Sequence, residues 1–362
     1  MVKTILLDCR FAAVHAGLGR YTRELVTHLL ARQPSGLSHK LLVRDVQEDW
    51  IPTGADVIAA PIPHYSIAEQ IMLPRIIRAS GADVFFSPHF NVPFRCPIPF
   101  VVTVHDLILH RYPNHASWLK QMLYRRVFGH AVANAASIIA VSNFTARELS
   151  DVYGSSVTGK IQEISEGVSD AYHPISAEEA RNIVEKYNIY HPYFLYVGNA
   201  KQHKNLPVLL AAFKQAQLPD CDLVLVTGGK EIHTLELPPH VHLLSGIPDA
   251  DLPALYTAAR AFVTPSLYEG YCLPVAEALA CGCPVIASNR AAIPETAAGH
   301  AMLMEPTADA FAAALQSPPT EREPFVGGSW EKAAEETERL LIQIHAPSYR
   351  QAGSSPRVVK LY

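Results

Sequence analysis

Glu269 and Glu277 are the residues best placed to do chemistry. They lie eight positions apart in the run Pro265-Ser-Leu-Tyr-Glu-Gly-Tyr-Cys-Leu-Pro-Val-Ala-Glu277-Ala-Leu-Ala-Cys-Gly-Cys-Pro-Val-Ile-Ala-Ser288. The run reads as strand, loop, helix and strand, with Pro274 suited to a first helical turn and Gly282 to a C-cap. Glu269 then falls in the loop and Glu277 in the first turn, both facing one strand-end crevice. A carboxylate beside a phosphate is repelled unless it accepts hydroxyl hydrogen bonds, each worth ~1.5–3 kcal/mol when charge-assisted. The pair therefore suits sugar-like hydroxyls next to an anion. An equally open reading makes Glu277 a partner of the helix dipole and Glu269 a solvated loop acid.

Other polar groups stand where predicted strands end. Ala16-Gly17-Leu18-Gly19-Arg20 precedes a helix, and glycine there lets backbone amides approach a phosphate or sugar oxygen. A nicotinamide fingerprint would need a third glycine at position 22 and an acid after the second strand. Position 22 is Thr, and Asp45 is only a loop residue. His105 closes a very apolar strand and is followed by Asp106, which suits a hydrogen-bonding group oriented by an acid. In a chain with 17 histidines a structural role is equally open. Asp249-Ala250-Asp251 has the spacing of a metal-holding pair but opens a predicted helix, and it reads first as N-cap chemistry. Cys281-Gly-Cys283 reads as buried small residues around a helix end.

These groups are positioned by short apolar runs alternating with amphipathic stretches, the pattern of βαβ units around parallel sheets. Strands are predicted over 4–8, 40–44, 56–60, 84–87, 100–104 and 138–141, with helices over 20–33, 67–79, 117–136 and 143–153. Ser142 stands where an N-cap belongs. Residues 166–192 lack a strong period and hold the linker. A second set follows: strands over 193–197, 223–227, 241–244, 261–264 and 284–287, helices over 206–217, 251–259, 274–281 and 308–316. A breaker-rich stretch (Pro318, Pro319, Pro324, Gly327, Gly328) precedes a last helix over 330–345. The tail from Ala346 carries Arg350, Arg357 and Lys360 and no acid, and reads as mobile. The expected domains are 1–170 and 193–328, joined by 171–192, with 329–362 crossing back to the first.

Composition narrows the class. A chain of 362 residues exceeds one typical core. A formal net charge of −4 argues against a nucleic-acid binder. The six cysteines form no CxxC pair, which favours reduced thiols and a cytoplasmic setting. Ile5-Leu6-Leu7 is stopped by Asp8, so no signal peptide is read, and no apolar run approaches the ~20 residues of a membrane span. Residues 117–136 place Lys120, Arg125 and Arg126 among Trp118, Met122, Leu123, Tyr124, Val127 and Phe128. That is either an amphipathic helix packed on the sheet or a basic, aromatic face touching anionic lipid.

The Glu269–Glu277 block closely resembles the E-x7-E signature of retaining glycosyltransferase family 4, whose members have the GT-B fold. Val197-Gly198-Asn199-Ala-Lys201-Gln-His203-Lys204-Asn205-Leu206 resembles that family's glycine-then-lysine phosphate loop. Ala140-Val-Ser142-Asn-Phe-Thr resembles the close of its N-terminal domain, Gly17-Leu-Gly19-Arg20-Tyr21 its first loop, and Thr103-Val-His105-Asp106-Leu107 its acceptor-side histidine. The resemblance implies two Rossmann-like domains facing across a cleft. It also implies transfer of a hexose, leaning to mannose from GDP-mannose, onto a glycan or lipid-linked saccharide of a cell-surface polysaccharide or lipopolysaccharide. On it, Lys204 neutralises the leaving diphosphate, Gly198 allows close approach, Glu269 binds the transferred sugar and Glu277 the ribose. Gly17, Gly19, Asn199, Lys201, Gly270, Tyr271, Cys272 and Leu273 complete the donor site, and His105, Asp106 and Arg20 serve the acceptor side. The departing phosphate takes the acceptor proton, so neither cofactor nor metal is implied.

Two departures stand out. Many family members have Arg where this chain has Asn199, so either Lys201 supplies a second cation or the diphosphate is held with one fewer. Ser165-Glu166-Gly167-Val168 stands where Asn often precedes the glycine. The first departure leaves open a catalytically silent nucleotide-sugar-binding subunit of an assembly complex. The enzymatic reading requires Lys204, Glu269 and Glu277 to share one hollow.

Overall fold

The computed structural model describes residues 3–13, 17–32, 36–112, 117–228, 232, 236–322, 325 and 327–344. Ala16, Pro324 and the tail expected to be mobile lie outside them. The first half forms β1 (Lys3–Asp8), β2 (Leu37–Val43), β3 (Asp56–Ala59), β4 (Val84–Ser87), β5 (Phe100–Val104), β6 (Ser137–Ala140) and β7 (Ile161–Glu163). They pair in the order β3-β2-β1-β4-β5-β6-β7, every pairing parallel. The second half forms β8 (Tyr193–Val197), β9 (Asp222–Val226), β10 (Val241–Leu244), β11 (Ala261–Thr264), β12 (Val285–Ser288) and β13 (Met302–Met304). Their order is β10-β9-β8-β11-β12-β13, again parallel.

Strands sandwiched between helices bury both faces, which is why β4, β5 and β6 are apolar without alternation. Helix Gly17–Arg32 returns Tyr21, Leu25, Val26 and Leu29 to the sheet, each such burial contributing about 1.5–3 kcal/mol. In both sheets the strand order reverses once, between β1 and β4 and between β8 and β11. Crevices beyond the carboxyl ends at such reversals hold ligands.

The chain passes between the domains at two adjacent places. Val168 N donates to the Gly328 carbonyl at 2.9 Å, and Val168 bridges Ser329. A Cβ on Gly167 would lie 2.2 Å from Trp330 N, and one on Gly328 would lie 2.2 Å from the Glu166 carbonyl oxygen. Only glycine fits at either point. As expected, the last helix, Trp330–Gln343, crosses back and packs Trp330, Ala333, Ala334 and Leu341 with Ile5, Leu7 and Leu25.

Three expectations need correction. The segment 171–192 is not plain linker: helix Ala177–Glu185 lies in it, capped by Ser176 and packed on helix Leu252–Ala258 through Ala180 and Val184. The predicted strand sets omit β7 and β13, both three residues long and so too short to show a pattern. Asp251 occupies the N-cap position but its side chain makes no cap bond; it accepts from Tyr187 Oη instead. Cys281 and Cys283 are buried, and all six cysteines are free thiols. No helix among the described residues is long and apolar enough to cross a membrane.

Candidate functional site

A cavity of about 760 Å³ lies between the two sheets at their carboxyl ends. Gly17, His89, His105, Asp106 and Glu166 line it from the first domain. From the second come Gly198, Asn199, Lys204, Thr227, Glu269, Gly270, Tyr271, Cys272 and Leu273. Lys204 follows β8 and Glu269 follows β11, neighbouring strands, so their loops meet. Lys204 Nζ donates to both Glu269 oxygens at 2.6 and 2.9 Å. Burial lowers the Lys204 pKa, but the Glu269 charge outweighs it and the net shift is upward, so the ammonium stays charged. An ammonium has three N–H donors, and two meet Glu269. Gly198, at φ 155°, leaves a Cβ's space that Tyr196 Oη would contest at 3.1 Å. Cys272, at φ 86°, turns the chain into helix Leu273–Ala280 at the cavity wall, a left-handed non-glycine conformation that costs of order 1–3 kcal/mol.

The shared hollow expected for three side chains is assembled for two. Glu277 is 2% exposed and does not line the cavity. Its oxygens accept from Arg20 and, at 3.2 Å, from Tyr256 Oη. A buried carboxylate needs a partner, and Arg20 reaches it from the first domain while also bonding Asp249 at 3.0 Å. Arg20 therefore serves as a cross-domain tie rather than lining the acceptor side. Glu277 is the fifth residue of its helix, beyond the first turn, so the dipole reading loses its basis. Glu277→Ala should destabilise the protein by about 3 kcal/mol in urea denaturation, the low end for breaking a buried ion pair, since Arg20 keeps Asp249. A change under 0.5 kcal/mol, the range of ordinary surface substitutions, would show the tie carries no load. Gly19 and Lys201 also lie outside the lining; Lys201 is exposed, and its amide donates to Asn199 Oδ1.

His105 is oriented by Glu166, not by Asp106. Its Nδ1 lies 3.0 Å from Glu166 Oε1 and its Nε2 lies 2.9 Å from the Pro88 carbonyl oxygen. The Glu166 carboxylate and the Pro88 carbonyl each favour a proton on the ring nitrogen they face. Burial lowers its pKa, but the Glu166 hydrogen bond and charge, with the Pro88 carbonyl, carry it above the ordinary histidine value. Asp106 Oδ1 accepts from Ile108 N at 2.9 Å, and burial raises its pKa. A raised histidine pKa adds stability that is complete below the unfolded value and disappears as pH rises through the folded one. The stability gap between the wild type and His105→Asn should therefore be widest below about pH 6.5 and shrink as pH climbs past it. A gap constant with pH would show a neutral ring.

The loops are docked by polar contacts. Ser142 Oγ accepts from Thr145 N, the predicted cap, and also donates to the Gly270 carbonyl at 2.6 Å. Thr145 Oγ1 donates to the same carbonyl at 3.2 Å. Glu295 accepts from Asn143 N at 2.7 Å and Phe144 N at 3.0 Å, capping helix Asn143–Tyr153 from the other domain. Tyr268 Oη accepts from Leu107 N at 2.9 Å and donates to Glu148. Glu166, His89, Glu295 and Tyr268 escaped the sequence reading. Only Glu166 carried a signal, as an acid where the family often has Asn.

The comparisons agree with this geometry. Residues 15–172 match the model described as Glycosyltransferase Family 4, and residues 179–323 match the model described as Glycosyl transferases group 1. The chain belongs to the family 4 glycosyltransferases and has the GT-B fold. It is 29% identical over 320 residues to O-antigen chain mannosyltransferase B of Escherichia coli, covering 80% of this chain and 83% of that one. It is 25% identical over 254 residues to O-antigen chain mannosyltransferase RfbU of Salmonella typhimurium, covering 68% and 67%. In fold it resembles the sucrose-phosphate synthase of Thermosynechococcus elongatus, with a TM-score of 0.71 at 22% identity over 94% of this chain and 98% of that one. Although Glu277 stands outside the hollow that the enzymatic reading required it to share, the family matches make the protein a glycosyltransferase.

Proposed function

We propose that the protein moves mannose from GDP-mannose, with retention of configuration, onto a hydroxyl of a lipid-linked saccharide in bacterial surface-polysaccharide synthesis. The carrying observation is the Lys204–Glu269 pair in a cavity that also presents Gly198 and, across the cleft, His105. An ammonium that meets a diphosphate while its carboxylate partner meets sugar hydroxyls holds the charge that develops as the glycosidic C–O bond breaks. The acceptor oxygen attacks the same face, and its proton passes to the departing phosphate oxygen. Mannose is favoured because both relatives named above are mannosyltransferases; GDP rests on the resemblance of the Gly-Asn…His-Lys-Asn loop. Glu277 would reach ribose hydroxyls by exchanging part of its bond to Arg20. We propose that no metal takes part: Asp249 and Asp251 are committed to Arg20 and Tyr187.

We also propose that the protein works at the cytoplasmic face of a membrane. Trp118, Leu119, Met122 and Leu123 are exposed on helix Trp118–Asn134 beside Lys120, Arg125 and Arg126, while Val127, Phe128, Ala131 and Val132 are buried. The helix is thus packed at one end and presents a basic, apolar face at the other, as an anionic bilayer requires.

The deciding experiment incubates the protein with labelled GDP-mannose, UDP-glucose or ADP-glucose and a lipid-linked saccharide on anionic vesicles, with and without EDTA, and assigns the product anomer by NMR. GDP-mannose should be used, the α-linkage kept, and EDTA should leave turnover unchanged. Preference for another donor, inversion, or a loss restored by Mn²⁺ would overturn the corresponding part.

A further inference from the structure

Far from the cleft, the amino-terminal ends of β8, β9 and β10 gather three imidazoles around one acid. Asp222 opens β9 and is 2% exposed. His240 Nδ1 lies 3.3 Å from its Oδ1, while His191 Nδ1 and His242 Nε2 lie 3.4 and 3.0 Å from its Oδ2. The topology brings them together. Tyr193 is in register with Asp222, and His242 with Val224. His191 thus arrives just before β8 and His240 just before β10. His240 reaches Asp222 from the turn before β10, at φ 63°, and His242 from within the strand.

The chemistry of this cluster suits a metal ion better than a catalytic acid or a binding face. One ligand atom from each of His191, Asp222 and His240 falls within 4.8 Å of the others. Tetrahedral zinc with bonds of about 2.0–2.1 Å keeps its ligand atoms roughly 3.3 Å apart, and His191 and His240 lie 3.4 and 3.3 Å from the two Asp222 oxygens. A set of imidazoles with one carboxylate selects zinc, cobalt, nickel or copper over magnesium or calcium. The imidazole side chains are 59%, 46% and 36% exposed on a sheet-edge strand and its neighbours, so an ion can enter from solvent.

We propose that His191, Asp222 and His240 form a divalent transition-metal site, with water as the fourth ligand and His242 as an outer partner of Asp222, that ties the segment entering β8 to the outer edge of the second sheet. The donor cavity is at the opposite ends of these strands, about 13 Å away along β9 at ~3.3 Å per residue, so the role is structural. The test uses the full chain, stripped with a chelator and dialysed. Zn²⁺ alone is titrated by calorimetry, and Co²⁺ alone is followed by its visible absorption. One saturable equivalent is expected, with the intense bands of a four-coordinate ion, and Zn²⁺ should raise the melting temperature. His240→Ala and His242→Ala remove half-exposed side chains and leave the fold intact. Losing a direct ligand should weaken Zn²⁺ binding by more than the roughly 10–100-fold that loss of an outer partner costs. Absence of saturable binding, or wild-type affinity in His240→Ala, would reduce the cluster to imidazoles hydrogen-bonded to a buried acid.

Discussion

Replacing Lys204 by Ala lowers turnover by roughly 10²–10³-fold, the loss expected when one preorganised charge contact to the transition state is removed. Two effects combine. The leaving diphosphate loses its ammonium, and Glu269, only slightly exposed, is left with an uncompensated charge beside the incoming phosphates. Because that repulsion acts on the bound donor as well, KM for the donor should rise while kcat takes the larger share of the loss. Lys204→Arg keeps the charge and should recover part of kcat, limited by the larger fork in a slot built for one ammonium. A melting curve for each variant separates instability from lost chemistry. Near-normal kcat in Lys204→Ala would remove the residue from the reaction.

Gly270→Ala produces a loss of comparable size by a different route. An added Cβ would sit 1.6 Å from the His105 carbonyl oxygen, 2.7 Å from its carbonyl carbon and 3.3 Å from Asp106 Cβ. The obstacle is backbone at the end of β5, buried in the middle of a sheet, and cannot swing aside as a long side chain would. The loop carrying Glu269 must retreat, and with it go the bonds from Ser142 and Thr145 to the Gly270 carbonyl. A shift near 1 Å at reacting groups costs about 10²-fold. Activity should fall by at least that much, and solution scattering should show a larger radius of gyration from a cleft that no longer shuts. Activity within a few-fold of wild type, with an unchanged radius, would show that the two domains need not close this tightly.

The sequence reveals what local pattern encodes. Apolar runs such as 84–87 and 100–104 followed by helical stripes show the parallel sheets, and loops with Gly198, Lys204, Glu269 and Gly270 show where the cavity lies. Helix Ala177–Glu185 had a readable sign, since Ser176-Ala-Glu-Glu179 is a capping box, but the prolines around it suggested a linker. What stayed hidden depends on distance through space rather than along the chain. Arg20 and Glu277 are 257 residues apart, and His105 and Glu166 are 61 apart. No period or propensity marks an acid as the partner of a particular cation in another domain. Glu277 illustrates the cost: its motif was legible, while its orientation was decided by an arginine from the opposite side of the cleft.

The two adjacent chain crossings set how such a cleft can open. With Val168 bonded to Gly328 and no clearance at Gly167, the two crossings form one short joint, as paired pins do on a door. Gly270 and Glu295 reach across to the other leaf, whereas Glu166 and His105 belong to the same leaf. The Glu166–His105 pair is thus complete within the first domain, independent of contacts from the second.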